Sequence, residues 1–361
     1  MHNTPTSIRV NLCPPNNYEI IVGQNILDNC GAKIAEQLNF QHCAIISDSN
    51  VAPLYAKQVQ QSLDSAGMKS NLVTVPAGES SKSLSHVEEI CREMIAAGHD
   101  RHSFAIALGG GVIGDLAGLA ASVFYRGIPL IQIPTTIVSQ VDSSIGGKTG
   151  VNAPEGKNLI GAFHQPKLVI ADTTTLQTLP EREFNEGFAE AIKHAAIRDG
   201  DMLEEVMNVK GPSNLDSLIA KNAEIKARVV EEDEKELLGT RAHLNYGHTI
   251  GHAIEAAGGY GEFLHGEAIS LGLICANFIS SKLFDFPLDQ SERIKNALIK
   301  FNLPVNLDKE ISTDSILNIM RADKKFKSGQ IRFVALHELG KPELTDKVTE
   351  AMISESIANI R

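Results

Sequence analysis

Cysteine, basic residues and long apolar runs are all scarce in this sequence of 361 residues. The five cysteines are odd in number, scattered and without CxxC spacing, which argues against a disulfide framework and against a cysteine zinc site. Lys and Arg number 33 against 44 Asp and Glu, giving a net charge of −11. That balance argues against nucleic acid or an anionic membrane as the main partner.

Signals for export or membrane insertion are also not found in the sequence. The first residues do not combine a basic stretch with an apolar one, and no apolar run approaches the roughly 18 residues of a membrane span. We therefore expect a soluble, cytoplasmic protein with reduced thiols. The hydrophobic content of 43% is ordinary for a globular chain, and the length is sufficient for two domains.

The first half of the chain alternates short apolar runs with amphipathic stretches. The predicted strands cover residues 8–13, 18–22, 43–47, 72–76, 104–108, 130–134 and 168–171. The predicted helices between them cover residues 26–38, 51–66 and 83–97. Strands and helices in this rhythm indicate a largely parallel sheet with helices on its faces, as in a Rossmann-like α/β domain.

Helical periodicity dominates from about residue 180 onward. The predicted helices there cover residues 183–198, 215–236, 249–257, 267–284 and 288–301, and residues 331–336 form the single predicted strand. We therefore predict an α/β domain over residues 1–179 and a mainly α-helical domain over residues 180–361.

A glycine-rich turn follows the predicted buried strand at 104–108. Residues 109–114 satisfy the GxGxxG spacing directly before an apolar helix. Glycines allow the backbone to approach a pyrophosphate closely, and a helix N-terminus supplies free N–H groups. No acid lies about 20 residues further on, where a Rossmann fold binds the ribose. Asp48 and Asn50 are candidates for that role, and a tight turn that needs glycine for steric reasons alone is the alternative.

Histidine and carboxylate side chains are spaced as in a metal site. His248 and His252 lie four residues apart on one helical face, His265 begins another apolar helix, and Glu190 lies within a third. A catalytic zinc ion takes three such ligands and keeps one position open. Glu190, His248 and His265 would form this set and leave His252 for acid–base chemistry. The pairs His248 with His252 and Glu190 with His194 stay open as alternatives, and an HxxxH pair can also be purely structural.

Lys148 and Lys157 each follow a glycine in loop-like sequence. The stretch Gly-Gly-Lys-Thr resembles the end of a P-loop, but Asp142 occupies the position of the first glycine in GxxxxGK[ST], so a P-loop is not expected. Lysines in such loops can still hold a phosphate or a carboxylate as point charges. Other cations that could join them, or could equally be solvated surface charges, are Arg126, Lys193, Lys226 and Arg241.

Taken together, these segments resemble the 3-dehydroquinate synthase family in order along most of the chain, from Asp48 to about Arg332. The motifs are PAGE at 76–79, GGGVIGD at 109–115, FYRG at 124–127, PTT at 134–136, VDSSIGGK at 141–148, GKNLIGAF at 156–163, EAIK at 190–193, LNYGHTIGHAIE at 244–255, LHGE at 264–267 and DKK at 323–325. The resemblance implies an NAD-dependent enzyme with one zinc or cobalt ion. Its expected reaction converts 3-deoxy-D-arabino-heptulosonate 7-phosphate to 3-dehydroquinate in the shikimate pathway.

The resemblance also implies roles for individual residues. Implied NAD contacts are Asp48, Asn50, Glu79, Lys82, Gly110, Gly111, Val112, Asp115, Thr135, Thr136, Lys148, Lys157 and Thr178. Implied metal ligands are Glu190, His248 and His265. Implied contacts to the substrate phosphate are Lys148, Asn245 and His252, and implied contacts to its carboxylate and hydroxyls are Lys193, Lys226, Arg241 and Lys324.

Three further residues have implied catalytic positions. Asp142 and Lys157 would lie near the nicotinamide and the reacting centre, and Arg126 would reach into the site of a neighbouring subunit, so a homodimer is implied. The alternatives are another sugar-phosphate cyclase such as a 2-deoxy-scyllo-inosose or valiolone-type synthase, a glycerol-type polyol dehydrogenase, and a non-catalytic binding module.

Overall fold

The computed structural model of this chain describes residues 5–12, 16–259, 261–308, 310–322, 326–327 and 330–361. The chain divides into two compact units, Met1–Leu179 with Gly211–Glu231, and Pro180–Lys210 with Glu232–Arg361. The segment Gly211–Glu231 follows the predicted boundary at residue 180 but packs with the first unit.

Strands and helices occur in the following order. The strands are β1 Thr6–Val10, β2 Tyr18–Gly23, β3 His42–Asp48, β4 Lys69–Val75, β5 Ser103–Gly109, β6 Leu130–Pro134, β7 Lys148–Ala153, β8 Gly156–Phe163, β9 Leu168–Asp172, β10 Phe326–Lys327, β11 Gln330–Ile331, β12 Phe333–Glu338 and β13 Lys341–Thr345. The α-helices are α1 Cys30–Gln37, α2 Ala52–Ser65, α3 Leu84–Ala96, α4 Gly111–Val123, α5 Glu181–Glu186, α6 Phe188–Arg198, α7 Met202–Met207, α8 Asp216–Glu232, α9 His248–Gly258, α10 His265–Phe284, α11 Leu288–Lys300, α12 Thr313–Ala322 and α13 Glu350–Asn359.

A seven-stranded sheet forms the centre of the first unit, with the order β1-β2-β9-β6-β5-β3-β4. Only β1 runs antiparallel, beside β2, and every other neighbouring pair is parallel. The predicted strand at 8–13 instead spans Thr6–Val10, because β1 pairs with β2 from Thr6 opposite Val22 to Val10 opposite Tyr18. The predicted α/β class with a largely parallel sheet is confirmed.

Both faces of this sheet are covered, which is why its strands are nearly continuous apolar runs. Alternate side chains of one strand point to opposite faces. Ile45 packs in one core with residues of α1 and α2, whereas its neighbour Ile46 packs in a second core with residues of α3 and α4. Burial of apolar surface on two sides stabilises the sheet and leaves its strand ends for polar residues.

Helix α8 is attached to the first unit by polar contacts along its length. Gln24 donates a hydrogen bond of 2.7 Å to Asp216 at the start of α8, and the backbone N–H of Asn11 donates one of 2.5 Å to Glu231 near its end. The helix is shorter than the predicted 215–236. It ends at Glu232. The carboxylate of Asp233 accepts hydrogen bonds from backbone N–H groups of the next turn, and these bonds favour a turn over continuation of the helix.

The predicted loops around Lys148 and Lys157 are a β-hairpin, so the loop interpretation was wrong. Strands β7 and β8 pair antiparallel, with Lys148 opposite Phe163 and Val151 opposite Ile160. The hairpin packs on α4 of the same unit. Glycines inside both strands hide the alternation of apolar and polar residues by which a strand is recognised.

The second unit is mainly helical, as predicted, with two corrections to its elements. The predicted helix at 183–198 is interrupted at Gly187, so that α5 ends at Glu186 and α6 begins at Phe188. The single predicted strand at 331–336 is divided between β11, which ends at Ile331, and β12, which begins at Phe333 and pairs with β13 across a turn with Gly340 at a φ of 82°. Glycine tolerates this left-handed conformation, which lets the chain turn back.

Among the described residues, one helix is long and apolar enough by length and composition to cross a membrane, namely α10 with 20 residues. No run of this kind was expected from the sequence. Of its most apolar window, 61% is buried in the protein. The helix packs against α6, α9, α13 and β12, which are the surroundings of a core helix.

Helices α9 and α10 approach each other closely at glycines. A Cβ atom on Gly272 of α10 would lie 2.0 Å from the carbonyl oxygen of Gly247, and a Cβ atom on Gly251 of α9 would lie 2.9 Å from the carbonyl oxygen of Ala268. Neither position can therefore carry a side chain without moving a helix. This contact sets the distance between the two helices that carry the histidines of the predicted metal site.

We predict that Gly272→Ala destabilises the protein by about 1–3 kcal/mol, because the added methyl group overlaps backbone atoms rather than a flexible side chain. Urea unfolding followed by circular dichroism measures this change. Lys282→Ala, at an exposed position of the same helix, is the matched control. Equal stabilities of the two variants would contradict the close helix contact.

Candidate functional site

Except for Lys148 and Lys157 of the β7–β8 hairpin, the predicted cofactor residues lie at or after the carboxyl ends of five neighbouring parallel strands. Asp48 ends β3 and Asn50 follows it, Glu79 and Lys82 follow β4, Gly110, Gly111, Val112 and Asp115 follow β5, Thr135 and Thr136 follow β6, and Thr178 follows β9. The chain proceeds outward from β3 to β4 and then returns to place β5 on the other side of β3. The strand order therefore reverses between β3 and β5, where an open α/β sheet has its ligand crevice.

The glycine-rich turn joins β5 to the first turn of α4, where backbone N–H groups have no helical partner. A Cβ atom on Gly110 would lie 3.1 Å from Thr136, and one on Gly111 would lie 3.0 Å from Ser143. Glycine at both positions keeps these N–H groups accessible to a ligand. The turn therefore fits a pyrophosphate at the helix N-terminus, as NAD would place it.

Two carboxylates near this edge already have partners. Asp48 accepts hydrogen bonds of 2.8 and 3.0 Å from the backbone N–H groups of Asn50 and Val51. Asp115 lies 2.5 Å from the ammonium group of the buried Lys82. Burial raises the pKa of Asp115 above its ordinary value, although Lys82 opposes that shift. These contacts hold both side chains in position.

Asp142 and Lys226 form an ion pair of 2.6 Å within the first unit. Asp142 lies in a π-helical turn, Ser139–Ser143, and Lys226 lies on the buried face of α8. The hairpin presents Lys148 exposed at the start of β7 and Lys157 half-buried near the start of β8. With Lys82, the first unit thus contains four of the predicted lysines, together with Asp142, which is predicted to act near the reacting centre.

The predicted metal ligands converge within the second unit. The Nε2 atoms of His248 and His265 lie 3.2 and 3.1 Å from the same oxygen, Oε1 of Glu190. The candidate ligand atoms of His248, His252 and His265 all lie within 4.8 Å of one another. The pair His248 and His252 therefore lies in one cluster with His265, in which Glu190 contacts two imidazoles, and the candidate ligand atoms of the other pair, Glu190 and His194, also lie within 4.8 Å of each other.

A hydrogen bond on His248 and an ion-pair contact on His265 orient the two histidines toward Glu190. The Nδ1–H of His248 donates to the backbone carbonyl of Tyr246 at 3.1 Å, and Nδ1 of His265 lies 3.7 Å from the carboxylate of Glu255. A partner at Nδ1 directs the Nε2 lone pair to a metal ion. One carboxylate and two such imidazoles, with a third nearby, fit a catalytic zinc-type ion.

The buried carboxylate of Glu190 needs positive charge close to it in order to stay ionised. Burial acts to raise the pKa of Glu190, but Lys193 and His248 hold it well below its ordinary value. Burial lowers the pKa of His265, but Glu190 and Glu255 outweigh it and raise that pKa to about 10. Cations thus keep the buried carboxylate ionised. A divalent ion would supply the same charge and displace the proton of His265.

A turn after α8 arranges two further predicted residues of the second unit. The carboxylate of the buried Asp233 accepts hydrogen bonds from the backbone N–H groups of Gly239 at 2.9 Å and Arg241 at 3.2 Å. The guanidinium group of the buried Arg241 donates to the backbone carbonyl of Glu234. Asn245 donates to Glu236 at 3.3 Å. Lys324 lies outside the described residues.

Three polar residues at these sites were not predicted from the sequence, namely Asp233, Glu255 and Asn152, whose side-chain amide donates a hydrogen bond of 2.8 Å to Glu79. For Glu255 a signal existed, because it follows His248 and His252 at helical spacing on α9. Asp233 lies in an acidic stretch whose composition predicts an exposed helix end. Asn152 lies in the hairpin that was interpreted as loop. Their roles depend on contacts between distant segments.

Two family models match the chain in succession. The model described as 3-dehydroquinate synthase N-terminal matches residues 72–186, and the one described as 3-dehydroquinate synthase C-terminal matches residues 187–326. The 3-dehydroquinate synthase of Acidithiobacillus ferrooxidans is 44% identical over 94% of both chains. That of Symbiobacterium thermophilum is 43% identical over 95% of this chain and 98% of its own. That of Prochlorococcus marinus is 41% identical over 100% of both.

Solved structures of related cyclases are similar over the whole chain. A 2-deoxy-scyllo-inosose synthase complexed with carbaglucose-6-phosphate, NAD+ and Co2+ has a TM-score of 0.89 at 29% identity, covering 99% of this chain and 100% of that one. A 2-epi-5-epi-valiolone synthase from Streptomyces hygroscopicus with NAD+ and Zn2+ has a TM-score of 0.87 at 26% identity, covering 98% and 99%. A glycerol dehydrogenase from Schizosaccharomyces pombe shares the fold, with a TM-score of 0.62 at 18% identity over 93% and 87%.

We predict that Glu255→Gln weakens the binding of Zn2+ or Co2+ by about tenfold to a hundredfold, because the neutral amide no longer orients and polarises His265. Competition with a coloured chelator measures the dissociation constant without any substrate. Glu292→Gln, at an exposed position of α11, is the matched control. Equal metal affinity in the two variants would show that Glu255 does not support the ligand.

Proposed function

Because the chain belongs to the 3-dehydroquinate synthase family, we propose that its two units divide the work of that family's reaction. The family consists of NAD- and metal-dependent lyases, and the reaction converts 3-deoxy-D-arabino-heptulosonate 7-phosphate to 3-dehydroquinate and phosphate. The observation that carries the proposal is the convergence of Glu190, His248 and His265 in a chain that matches the family along its length.

Residues 1–179, which make up most of the first unit, are proposed as the NAD-binding domain. Bound NAD would accept a hydride from the substrate and return it within one turnover. Asp48 and Asn50 would bind the adenosine ribose, and the turn containing Gly110 and Gly111 would bind the pyrophosphate through backbone N–H groups. The remaining proposed contacts are Glu79, Lys82, Val112, Asp115, Thr135, Thr136, Lys148, Lys157 and Thr178. Except for Lys148 and Lys157 of the β7–β8 hairpin, these residues share a position at the carboxyl edge of the sheet, which supports the assignment.

Residues 180–361 are proposed as the metal- and substrate-binding domain. Glu190, His248 and His265 would hold one zinc or cobalt ion, since both metals accept this ligand set. The ion would act as a Lewis acid that acidifies a substrate hydroxyl and polarises a carbonyl. The exposed His252, whose ring centroid lies 5.0 Å from that of His248, is proposed to bind the substrate phosphate beside the metal ligands.

Cationic side chains would hold the anionic groups of the substrate against the net charge of −11. Lys148, Asn245 and His252 are proposed to bind the phosphate. Lys193, Lys226, Arg241 and Lys324 are proposed to bind the carboxylate and hydroxyls. Lys193 and Lys226 are buried and pair with Glu190 and Asp142. Such pairs hold the ammonium groups in place, and placement of charge before the reaction is an efficient form of catalysis.

Asp142 and Lys157 are proposed to lie beside the nicotinamide and the reacting carbon atoms. The substrate's own phosphate would then remove the proton that is acidified by oxidation, and the phosphate would leave by elimination. The protein's task in this step is to hold the phosphate in one orientation. After reduction, ring opening and an intramolecular aldol closure need only a correctly folded conformer.

A homodimer is proposed, with Arg126 acting in the site of the partner. Arg126 is exposed and has a φ of 69°, directly after Tyr125 at 48°. Consecutive left-handed residues other than glycine are strained, and such strain is concentrated at functional sites.

Large apolar side chains are exposed near Arg126 in the chain and on β8, including Val123 at 52%, Tyr125 at 49% and Phe163 at 50%. His164, next to Phe163, contacts the carbonyl of Ile128 at 2.9 Å, so these segments adjoin. An apolar surface of this kind suits a partner subunit.

The location of the enzyme is proposed as cytoplasmic, because the family consists of soluble biosynthetic enzymes.

Purified protein with NAD, zinc or cobalt and the heptulosonate phosphate should release phosphate and form 3-dehydroquinate without accumulating NADH. Phosphate release and absorbance of NADH are followed together. Glucose 6-phosphate and sedoheptulose 7-phosphate serve as comparison substrates. Accumulated NADH would instead indicate a dehydrogenase, and turnover of a comparison substrate alone would indicate a different cyclase.

Mixing two inactive variants tests the role of Arg126. We expect Arg126→Ala and His265→Ala to be inactive separately, and to regain about one quarter of wild-type activity when their subunits are exchanged by mild denaturation and renaturation at equal amounts. In the mixed dimer, one site combines its own His265 with the partner's intact Arg126. Mixing Arg126→Ala with itself is the control. Absence of regained activity in verified mixed dimers would mean that Arg126 does not act across subunits.

A further inference from the structure

The β7–β8 hairpin has an irregular register at Asn152. Val151 pairs with Ile160 and Ala153 pairs with Gly156, so one residue of β7 faces the three residues 157–159 of β8. Asn158, in the middle of this bulge, has a φ of 58°. Bulges redirect side chains and are frequent next to active sites. Here the bulge includes Lys157.

The half-buried Asn152 makes three hydrogen bonds from this position. Its backbone N–H donates to the carbonyl of Lys82 at 2.9 Å, and its side-chain amide donates to Oε1 of Glu79 at 2.8 Å. Its side-chain oxygen accepts from the backbone N–H of Asn158 at 3.0 Å. All four residues belong to the first unit. One side chain thus joins the segment after β4 to the bulge that carries Lys157.

Both segments that Asn152 connects contain residues with a proposed role. Glu79 and Lys82 are proposed cofactor contacts, and Lys82 is held by its ion pair with Asp115 of α4. Lys157 is proposed to lie near the nicotinamide. A shift of the Glu79 segment on cofactor binding would therefore be transmitted to the bulge through the amide of Asn152.

We propose that Asn152 is a positioning residue that couples cofactor binding at the Glu79–Lys82 segment to the placement of Lys157. This inference rests on the proposed function, because it takes the roles of Glu79 and Lys157 from it. Asn152 itself need not touch the substrate or NAD.

The chemistry of the side chain explains why asparagine is needed. The amide donates to a carboxylate and accepts from a backbone N–H at the same time. Aspartate keeps the acceptor for Asn158 but places a second negative charge against Glu79. Alanine removes both contacts. Asn152→Asp therefore tests the contact with Glu79 in the proposed cofactor segment. Asn152→Ala tests that contact together with the one to the bulge that carries Lys157.

Binding of NADH is the first measurement, followed by the fluorescence of the nicotinamide; the chain has no tryptophan to contribute its own emission. We expect Asn152→Asp to weaken NADH binding by about tenfold, because the lost hydrogen bond is replaced by charge repulsion. The rate of phosphate release at saturating NAD should change less in this variant than in Asn152→Ala. For Asn152→Ala we expect that rate to fall by about tenfold.

A double-mutant cycle with Lys157→Ala distinguishes positioning from general stabilisation of the hairpin. If Asn152 acts through Lys157, Asn152→Ala should have no further effect on phosphate release when Lys157 is already alanine. If it slows that variant by the same factor as the wild type, Asn152 acts independently of Lys157 and the proposal is overturned. Glu155→Ala, exposed at the turn of the same hairpin, is the control, and thermal unfolding confirms that each variant is folded.

Failure of this inference differs from failure of the proposed function. If the wild-type protein does not turn over the heptulosonate phosphate, the proposed function is wrong. If the wild type is active and both Asn152 variants keep NADH affinity and turnover within about twofold of it, the function stands and the coupling role of Asn152 is rejected.

Discussion

The carboxylate of Glu190 imposes the main constraint on the second unit, because its side chain is completely buried. An ionised carboxylate in that position is very costly unless positive or hydrogen-bonding groups surround it. Lys193 lies one turn away on the same helix, but His248 and His265 come from two other helices. The packing of α6, α9 and α10 must therefore bring these groups to the carboxylate as well as fill the hydrophobic core. The close contact of α9 and α10 at Gly272 contributes to both. The same arrangement is what a divalent cation requires.

The first unit solves a different physical problem. Its sheet is buried on both faces, so polar side chains are concentrated where the strands end. Parallel strands bring five of these ends to one edge, and the strand order reverses beside β3, where open α/β sheets bind their ligands. Residues far apart in sequence, such as Asp48, Gly110 and Thr178, thereby follow neighbouring strands. The β7–β8 hairpin lies outside this sheet and is connected to the edge through Asn152.

Secondary structure with strong periodicity was predicted well, and the errors have identifiable causes. The buried strands β3, β5 and β6 and the helices α2, α3 and α10 lie within a few residues of their predicted bounds. The hairpin was missed because glycines interrupt both strands. The ends of α8 and α5 were missed because Asp233 and Gly187 act through local backbone geometry that periodicity does not record.

The sequence alone determined the fold class, the family and the residue types of the candidate site, since motif order and hydrophobic period are local properties of the chain. It left open which histidines and carboxylates assemble, because spacing along a helix does not report the contacts of that helix. Only the tertiary structure decided that His248 and His265 share one oxygen of Glu190, that Glu255 faces His265, and that Asn152 connects Glu79 to the bulge of β8. These contacts arise from the packing of segments distant in sequence, and such packing becomes defined only when the whole core forms.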